Sequence, residues 1–369
     1  MDVADLTEEL VAIPSHRGDG SDESAAGEFV AGWLRDRTDA AVTHDEHGNV
    51  LARKRGDREG PSLALVGHHD VVPPDESQVA DGEYVVGRQT GDRGEERIHG
   101  RGSADMKGSV AAAMLAFRSA DPDAGELVFA SFAGEEQGGE GCRAALDDGF
   151  SVDYAVVGEG STGYSAAGVT DVAVAHKGRR GSTVVAEGAA AHASEPEAGE
   201  NAVYRATDAV DVVRDLDFPE TDVLGHGVRG SVAVTEIDGG SAWNVIPERC
   251  EVTVDERTVP GERAALGRVE DVAGVTWQVD QDLPPMACGD AEFADTVQSA
   301  AAEAQDGDPE QVVKPHATDA GWLASEGTEC VVVGAAEPGE AHTADESVAV
   351  PVLRRCRAIY AGVADRWLA

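Results

Sequence analysis

Five short stretches of this chain set imidazoles and carboxylates at the ends of apolar runs. In LVGHHDVVPP, Leu65 to Pro74, two histidines precede an aspartate. Alternate residues of an extended backbone share a face, so His68 and Asp70 point one way and His69 the other. An imidazole whose second nitrogen is held by a carboxylate is a common arrangement at a metal ion. In GRGSADMKGS, Gly100 to Ser109, Asp105 lies between a glycine-rich approach and an apolar helix, and alone it reads as a helix N-cap. In FAGEEQGGEG, Phe132 to Gly141, Glu135 and Glu136 directly follow an apolar strand. Adjacent carboxylates repel unless they share a cation or a proton, and open α/β sheets bind ligands at that end of their strands. In VVGEGSTG, Val156 to Gly163, three glycines spell GxGxxG. A dinucleotide site needs a helix to open there. Tyr164 to Val174 is instead rich in Gly, Ser and β-branched residues, so the informative residue is Glu159. Last, GEAHTADES, Gly339 to Ser347, places His342 after another strand.

Together these stretches supply the imidazoles of His68 and His342 and the carboxylates of Asp105, Glu135, Glu136 and Glu159. Such a set suits two zinc-like ions bridged by one carboxylate, about 3.5–4 Å apart, with one carboxylate left over for proton transfer.

The elements that must position them alternate. Helical spacing covers Leu6–Val11, Ala25–Leu34, Ser109–Ser119 and Gly141–Asp147, and short apolar strands cover Ser62–Val66, Leu127–Ala133 and Tyr154–Val157. Apolar strands alternating with helices indicate an α/β layer with a mostly parallel sheet. From about Val172 to Asp282 the strands alternate polar and apolar residues, as antiparallel strands do, around helices at Ala202–Leu216 and Glu262–Val272. The α/β texture then resumes with a helix at Phe293–Ala304, a strand at Glu329–Val333 and a closing helix at Val350–Leu368. The expected plan is a catalytic domain split into residues 1–175 and 286–369, with helices on both faces of its sheet. An α+β domain of residues 176–285 is inserted between the two parts.

Charge narrows the function further. Of 369 residues, 70 are acidic and 29 basic, a formal net charge of -41 spread along the whole chain. A dispersed acidic excess keeps a surface hydrated in strong salt, where the Debye length falls to ~3 Å at 1 M, and this points to a halophilic protein. It argues against nucleic acid and anionic membranes as partners, because phosphate binding needs clustered Lys and Arg. The five cysteines are scattered with no CxxC, which suggests a reducing, cytoplasmic setting. The start of the chain lacks the features of a signal peptide, and no run approaches the ~18 apolar residues of a membrane span.

As a set, GHHDVVP, GRGSADMKG, AGEEQGG, VGEG, AAHASEPEAGENA, NVIPERCEVTVDERTVPGE and AHTADESV, in this order across nearly the whole chain, resemble a known family. It is the zinc metallopeptidase/amidohydrolase family that holds acetylornithine deacetylase, succinyl-diaminopimelate desuccinylase, aminoacylase and glutamate carboxypeptidase. The resemblance implies two divalent ions, Zn above all, with Co or Mn as alternatives. His68 and Glu159 would hold one ion, Glu136 and His342 the other, and Asp105 would bridge them. Asp70 would orient His68, Glu135 would be the general base, and the peptide bond after Asp105 would be cis. The insert would be a lid through which the chain dimerises. In it His192 would stabilise the oxyanion, while Asn244 and Arg257, together with Thr318 outside it, would hold the substrate. The family's frequent GEP is GEG here, which leaves the Glu159 loop looser, and His69 sits at a variable position with no role.

Within that family, Glu at the position of Glu159 goes with N-acyl amino acid hydrolases and carboxypeptidases, and Asp with aminopeptidases and dipeptidases. The expected reaction is therefore hydrolysis of an N-acyl amino acid amide, of the desuccinylase or acetylornithine deacetylase kind. A metallo-carboxypeptidase or dipeptidase on the same scaffold, or a catalytically silent metal-binding protein, stand as alternatives.

Overall fold

The structure, a computed structural model, describes residues 2–18 and 22–369. The chain divides into two compact units. The first comprises Met1–Ala175, Ala287–Lys314 and Thr318–Ala369; the second comprises His176–Met286 with Pro315–Ala317.

The first unit is built on a nine-stranded sheet. Its strand order is Ala41–His44, Val50–Arg55, Ala124–Phe132, Arg58–His68, Tyr154–Val157, Glu329–Val332, Val172–His176 and Met286–Ala287, with Gln311–Lys314 alongside Val172–His176. The four strands from Ala124–Phe132 to Glu329–Val332 run parallel, and their neighbours on either side run antiparallel. The parallel centre is where the sequence is apolar without alternation. The last six residues of Arg58–His68 and of Ala124–Phe132 are all buried, as expected for strands covered on both faces. Register then aligns the strand ends: Val66 lies opposite both Ala130 and Val157, and His68 opposite Phe132. His68, the Glu135–Glu136 doublet and Glu159 therefore lie at the same end of the sheet, the carboxyl end of its parallel strands.

Helices Ser24–Arg37, Gly108–Ser119 and Asp319–Ser325 contact the strands, and Gly108–Ser119 also packs on the closing helix Val350–Trp367. Gly108–Ser119 is alanine-rich and buried on nearly every side, which only an apolar helix with no polar face tolerates. A small antiparallel sheet of Gly87–Thr90, Glu96–His99 and Ser347–Ala349 brings the segment after His342 beside the approach to Asp105.

The second unit is a four-stranded antiparallel sheet ordered Ser231–Gly239, Arg249–Thr258, Gly178–Glu187, Val275–Leu283. In Arg249–Thr258 every second residue is buried, and Val252 and Val254 meet Ala206 and Ala209 of the helix Ala202–Arg214 in one core. The helix expected over Glu262–Val272 is a correction: only Leu266–Asp271 coils, as a 3₁₀ turn. Its two buried anchors, Leu266 and Val269, stand three apart, which suits three residues per turn, and Gly267 between them weakens a longer helix.

Candidate metal centre

Asp105 is the hub of the first unit's polar site. Its Oδ1 lies 3.1 Å from His68 Nε2, and its Oδ2 lies 3.0 Å from His342 Nε2. His68 Nε2 is also 3.3 Å from Glu159 Oε1, and His342 Nε2 is 3.0 Å from Glu136 Oε1. The residues thus form two triplets, His68–Asp105–Glu159 and Asp105–Glu136–His342, each with ligand atoms within 4.8 Å of one another. They share one carboxylate, which turns a different oxygen to each. Imidazole nitrogen with carboxylate oxygen is a donor mixture that suits zinc and its neighbours, so the residues fit a two-ion centre.

The local backbone explains the convergence. Asp105 does not cap the following helix, which starts at Gly108 with Lys107 in the cap position and no side-chain cap hydrogen bond. Asp105 itself is extended, at φ -123° and ψ 99°, and the Asp105–Met106 peptide is cis. Asp70, fully buried, gathers two strand ends. Its Oδ1 lies 3.4 Å from His68 Nδ1, and its backbone carbonyl 3.0 Å from the same nitrogen. Its two oxygens accept the backbone N–H groups of Glu135 and Glu136, each at 3.1 Å. Asp70 therefore orients the His68 ring and the glutamate doublet together.

Electrostatics follow from this crowding. Burial alone would raise the Asp105 carboxyl, but hydrogen bonds from His342 and His68 hold it well below the usual carboxylate range. Burial alone would lower His68, yet its contacts with Asp105, Asp70 and Glu159 push it well above an ordinary imidazole. Hydrogen bonds to Asp105 and Glu136 push His342 up to about 10. Burial drives the Glu135 carboxyl well above its ordinary value; His68 opposes that shift, and the neighbouring carboxylates Glu159, Asp319 and Glu136 add to it.

His69 points away, as strand alternation requires. It is buried, Nδ1 lies 2.9 Å from Ser131 Oγ, and Nε2 meets no hydrogen-bond partner among the described residues. Burial lowers its pKa to about 4 from 6.5. The folded form excludes the proton that the unfolded chain accepts. This contribution to stability is therefore intact above about pH 6.5, declines between 6.5 and 4, and is flat below. The loss is on the order of 3 kcal/mol. Melting of the metal-free protein from pH 7 to pH 5 should show a shallower fall in His69→Asn than in wild type, and equal slopes would contradict this account.

One partner of the site, Lys314, carries no sequence signature. Lys314 is buried with Nζ 3.4 Å from Glu159 Oε2, on the side away from His68. Asp319 is buried, neither of its oxygens meets a hydrogen-bond donor among the described residues, and burial raises its carboxyl to about 7. Thr318 is buried and caps the helix Asp319–Ser325, accepting from Ala320 N at 3.2 Å. The loop after Tyr154–Val157 is pinned: Ser161 N and Thr162 Oγ1 donate to Gly334 O at 3.2 and 2.9 Å. The expected looseness at Gly160 is thereby corrected, because a Cβ there would come within 2.8 Å of Ala336. No helix opens after Gly158, so there is no dinucleotide cradle.

Within the second unit, the short pair Ala191–His192 and Val245–Ile246 sets His192 opposite Val245, and Ala193 N donates to Asn244 O at 2.9 Å. His192 and Asn244 are thus neighbours, both exposed, and His192 Nδ1 is 2.6 Å from Ser194 Oγ. Arg257 lies on another strand, half-buried, its fork closed on Asp255 at 2.7 and 3.3 Å.

The sequence matches the family described as Peptidase family M20/M25/M40 over residues 64–366. It is 31% identical over 349 residues to a succinyl-diaminopimelate desuccinylase of Rhodospirillum centenum, covering 87% of this chain and 84% of that one. It is 30% identical over 356 residues to an acetylornithine deacetylase of Myxococcus xanthus, covering 91% and 87%. The fold is similar to that of an aminopeptidase from Bacillus cereus, with a TM-score of 0.78 at 16% identity over 100% and 98% of the two chains. It is also similar to a dinuclear metal binding peptidase from Bacillus subtilis, with a TM-score of 0.70 at 17% identity over 99% and 97%.

Proposed function

Because this chain belongs to Peptidase family M20/M25/M40 and is a hydrolase acting on amides, we propose that it cleaves the amide of an N-acyl amino acid. The reaction would be of the kind performed by desuccinylases and acetylornithine deacetylases. The observation that carries this reading is the division of Asp105 between two triplets, with Glu135 beside them and outside both.

In this reading His68, Asp105 and Glu159 hold one divalent ion and Asp105, Glu136 and His342 a second, most readily Zn, with Co or Mn as alternatives. Bound there, such ions lower the pKa of water and polarise the amide carbonyl. Glu135 receives the proton of the attacking water and passes it to the leaving amine nitrogen. A carboxyl driven upward by burial suits that exchange. Asp70 keeps the His68 ring and the Glu135 backbone in fixed relation. His192 serves the developing oxyanion, and Asn244, Arg257 and Thr318 the carboxylate side of the amino acid. For Arg257 this requires the substrate to compete with Asp255 for its fork. The second unit acts as lid and as the homodimer interface. The protein works in a salt-rich cytoplasm, with no nucleic acid or membrane partner.

A panel of succinyl-diaminopimelate, acetylornithine, other acyl amino acids and dipeptides, run in molar KCl, tests the substrate class. Preferential turnover of acyl amino acids is expected, and turnover of dipeptides alone would replace this reading by a dipeptidase. Chelator-treated protein should be inactive and regain activity with Zn²⁺, Co²⁺ or Mn²⁺; full activity after chelation would remove the two-ion mechanism. Lowering the salt should lower the melting temperature, because 70 acidic against 29 basic residues repel with less screening.

A further inference from the structure

Glu346 lies four residues beyond His342 and is buried, with 1% of its surface exposed. Its Oε1 accepts two backbone N–H groups, those of Ala104 at 3.0 Å and Asp105 at 3.1 Å. Its Oε2 accepts from Arg101 Nη1 at 2.6 Å, and Arg101 is itself buried. Its backbone carbonyl accepts from Gly100 N at 3.1 Å. One side chain thus gathers the whole approach to Asp105 from a position 241 residues further along the chain.

His342, on the same loop, sits at φ 61°, in the left-handed region. A non-glycine residue adopts it only at a steric cost, and such a conformation persists where the surroundings over-determine it. The Glu346 anchor is one such constraint. A second is the Thr343 carbonyl, which accepts from Gln78 Nε2 at 3.1 Å.

We propose that Glu346 is a positioning residue: through its Oε1 contacts with the Ala104 and Asp105 amides it fixes the shared carboxylate of Asp105 relative to His342, and so sets how tightly both ions are held. The proposal rests on Asp105 and His342 being ligands. Partners that orient metal ligands are typically worth about 10–100-fold in metal affinity. The ion pair with Arg101 is separable from this role, since it uses the other oxygen.

The test compares two double variants that both lack the ion pair, so neither leaves a buried charge unmatched. E346Q/R101M keeps an oxygen that can accept the two amides, and E346M/R101M has none. Cobalt(II) affinity of the metal-free proteins is read by visible absorption in competition with a chelator, alongside thermal melting without metal. Binding of both ions should be about 10–100-fold weaker in E346M/R101M than in E346Q/R101M, with both chains folded. Equal affinities would overturn the proposal. If E346M/R101M does not fold, E346D in the otherwise native chain decides. It keeps the charge for Arg101 but withdraws the oxygen by one methylene, so it should bind cobalt more weakly than wild type; wild-type affinity would overturn the proposal. Asp105→Ala run in parallel tests the ligand reading separately. If it binds two ions normally, the ligand reading falls whatever position 346 does.

Discussion

Glu135→Ala should leave both ions bound and lower kcat by about 10²–10⁴-fold, the usual worth of a positioned general base. The separation is possible because Glu135 belongs to neither triplet. Its backbone N–H is nonetheless held by Asp70, which also orients His68, so truncating the side chain leaves that scaffold intact. Metal content measured on purified variant and wild type, beside turnover of the best substrate in the panel, checks both halves. Unchanged turnover would remove Glu135 as the base. Loss of metal would make it a ligand instead.

The second large effect belongs to Asp105. Each of its oxygens serves a different triplet, so Asp105→Ala should weaken both ions together, beyond the roughly 100-fold that loss of an outer partner costs, and abolish activity. His342→Ala should weaken chiefly the ion shared with Glu136, and His68→Ala chiefly the ion shared with Glu159. Titration of metal-free variants with cobalt, counting ions bound, distinguishes these patterns. An Asp105→Ala protein that still bound one ion tightly would mean that the triplets are independent.

These residues were legible in the sequence because strand geometry is periodic. Alternation separates His68 from His69, and the apolar runs before Glu135 and Glu159 mark strand ends whatever the tertiary structure does. The resemblance then named a bridging role that spacing alone left open, since Asp105 reads equally well as a helix cap. Lys314 and Glu346 were not legible. Each is a single charged residue in an acidic chain, and its meaning lies in a contact made across the fold, with a carboxylate for Lys314 and with backbone amides for Glu346. The Leu266–Asp271 turn was misjudged for a related reason, because two apolar anchors three apart satisfy a long helix and a short 3₁₀ turn alike.

The strand Glu329–Val332 fills the place between Tyr154–Val157 and Val172–His176, and this has a consequence for how the chain is made. Synthesis delivers the two flanking strands early and the strand that joins them only near the end. All four strands of the second unit's sheet, by contrast, come from one continuous stretch, Gly178 to Leu283. That unit can close its core on the ribosome while the first sheet still has a gap exposing unpaired edges. Chains fold by domains as they emerge, and unfinished edges invite aggregation. A chain truncated after Ala317 should therefore hold a protease-resistant second unit attached to a first unit that is still cleaved. Protection of the first unit should appear only once the segment through Val332 is free to pair.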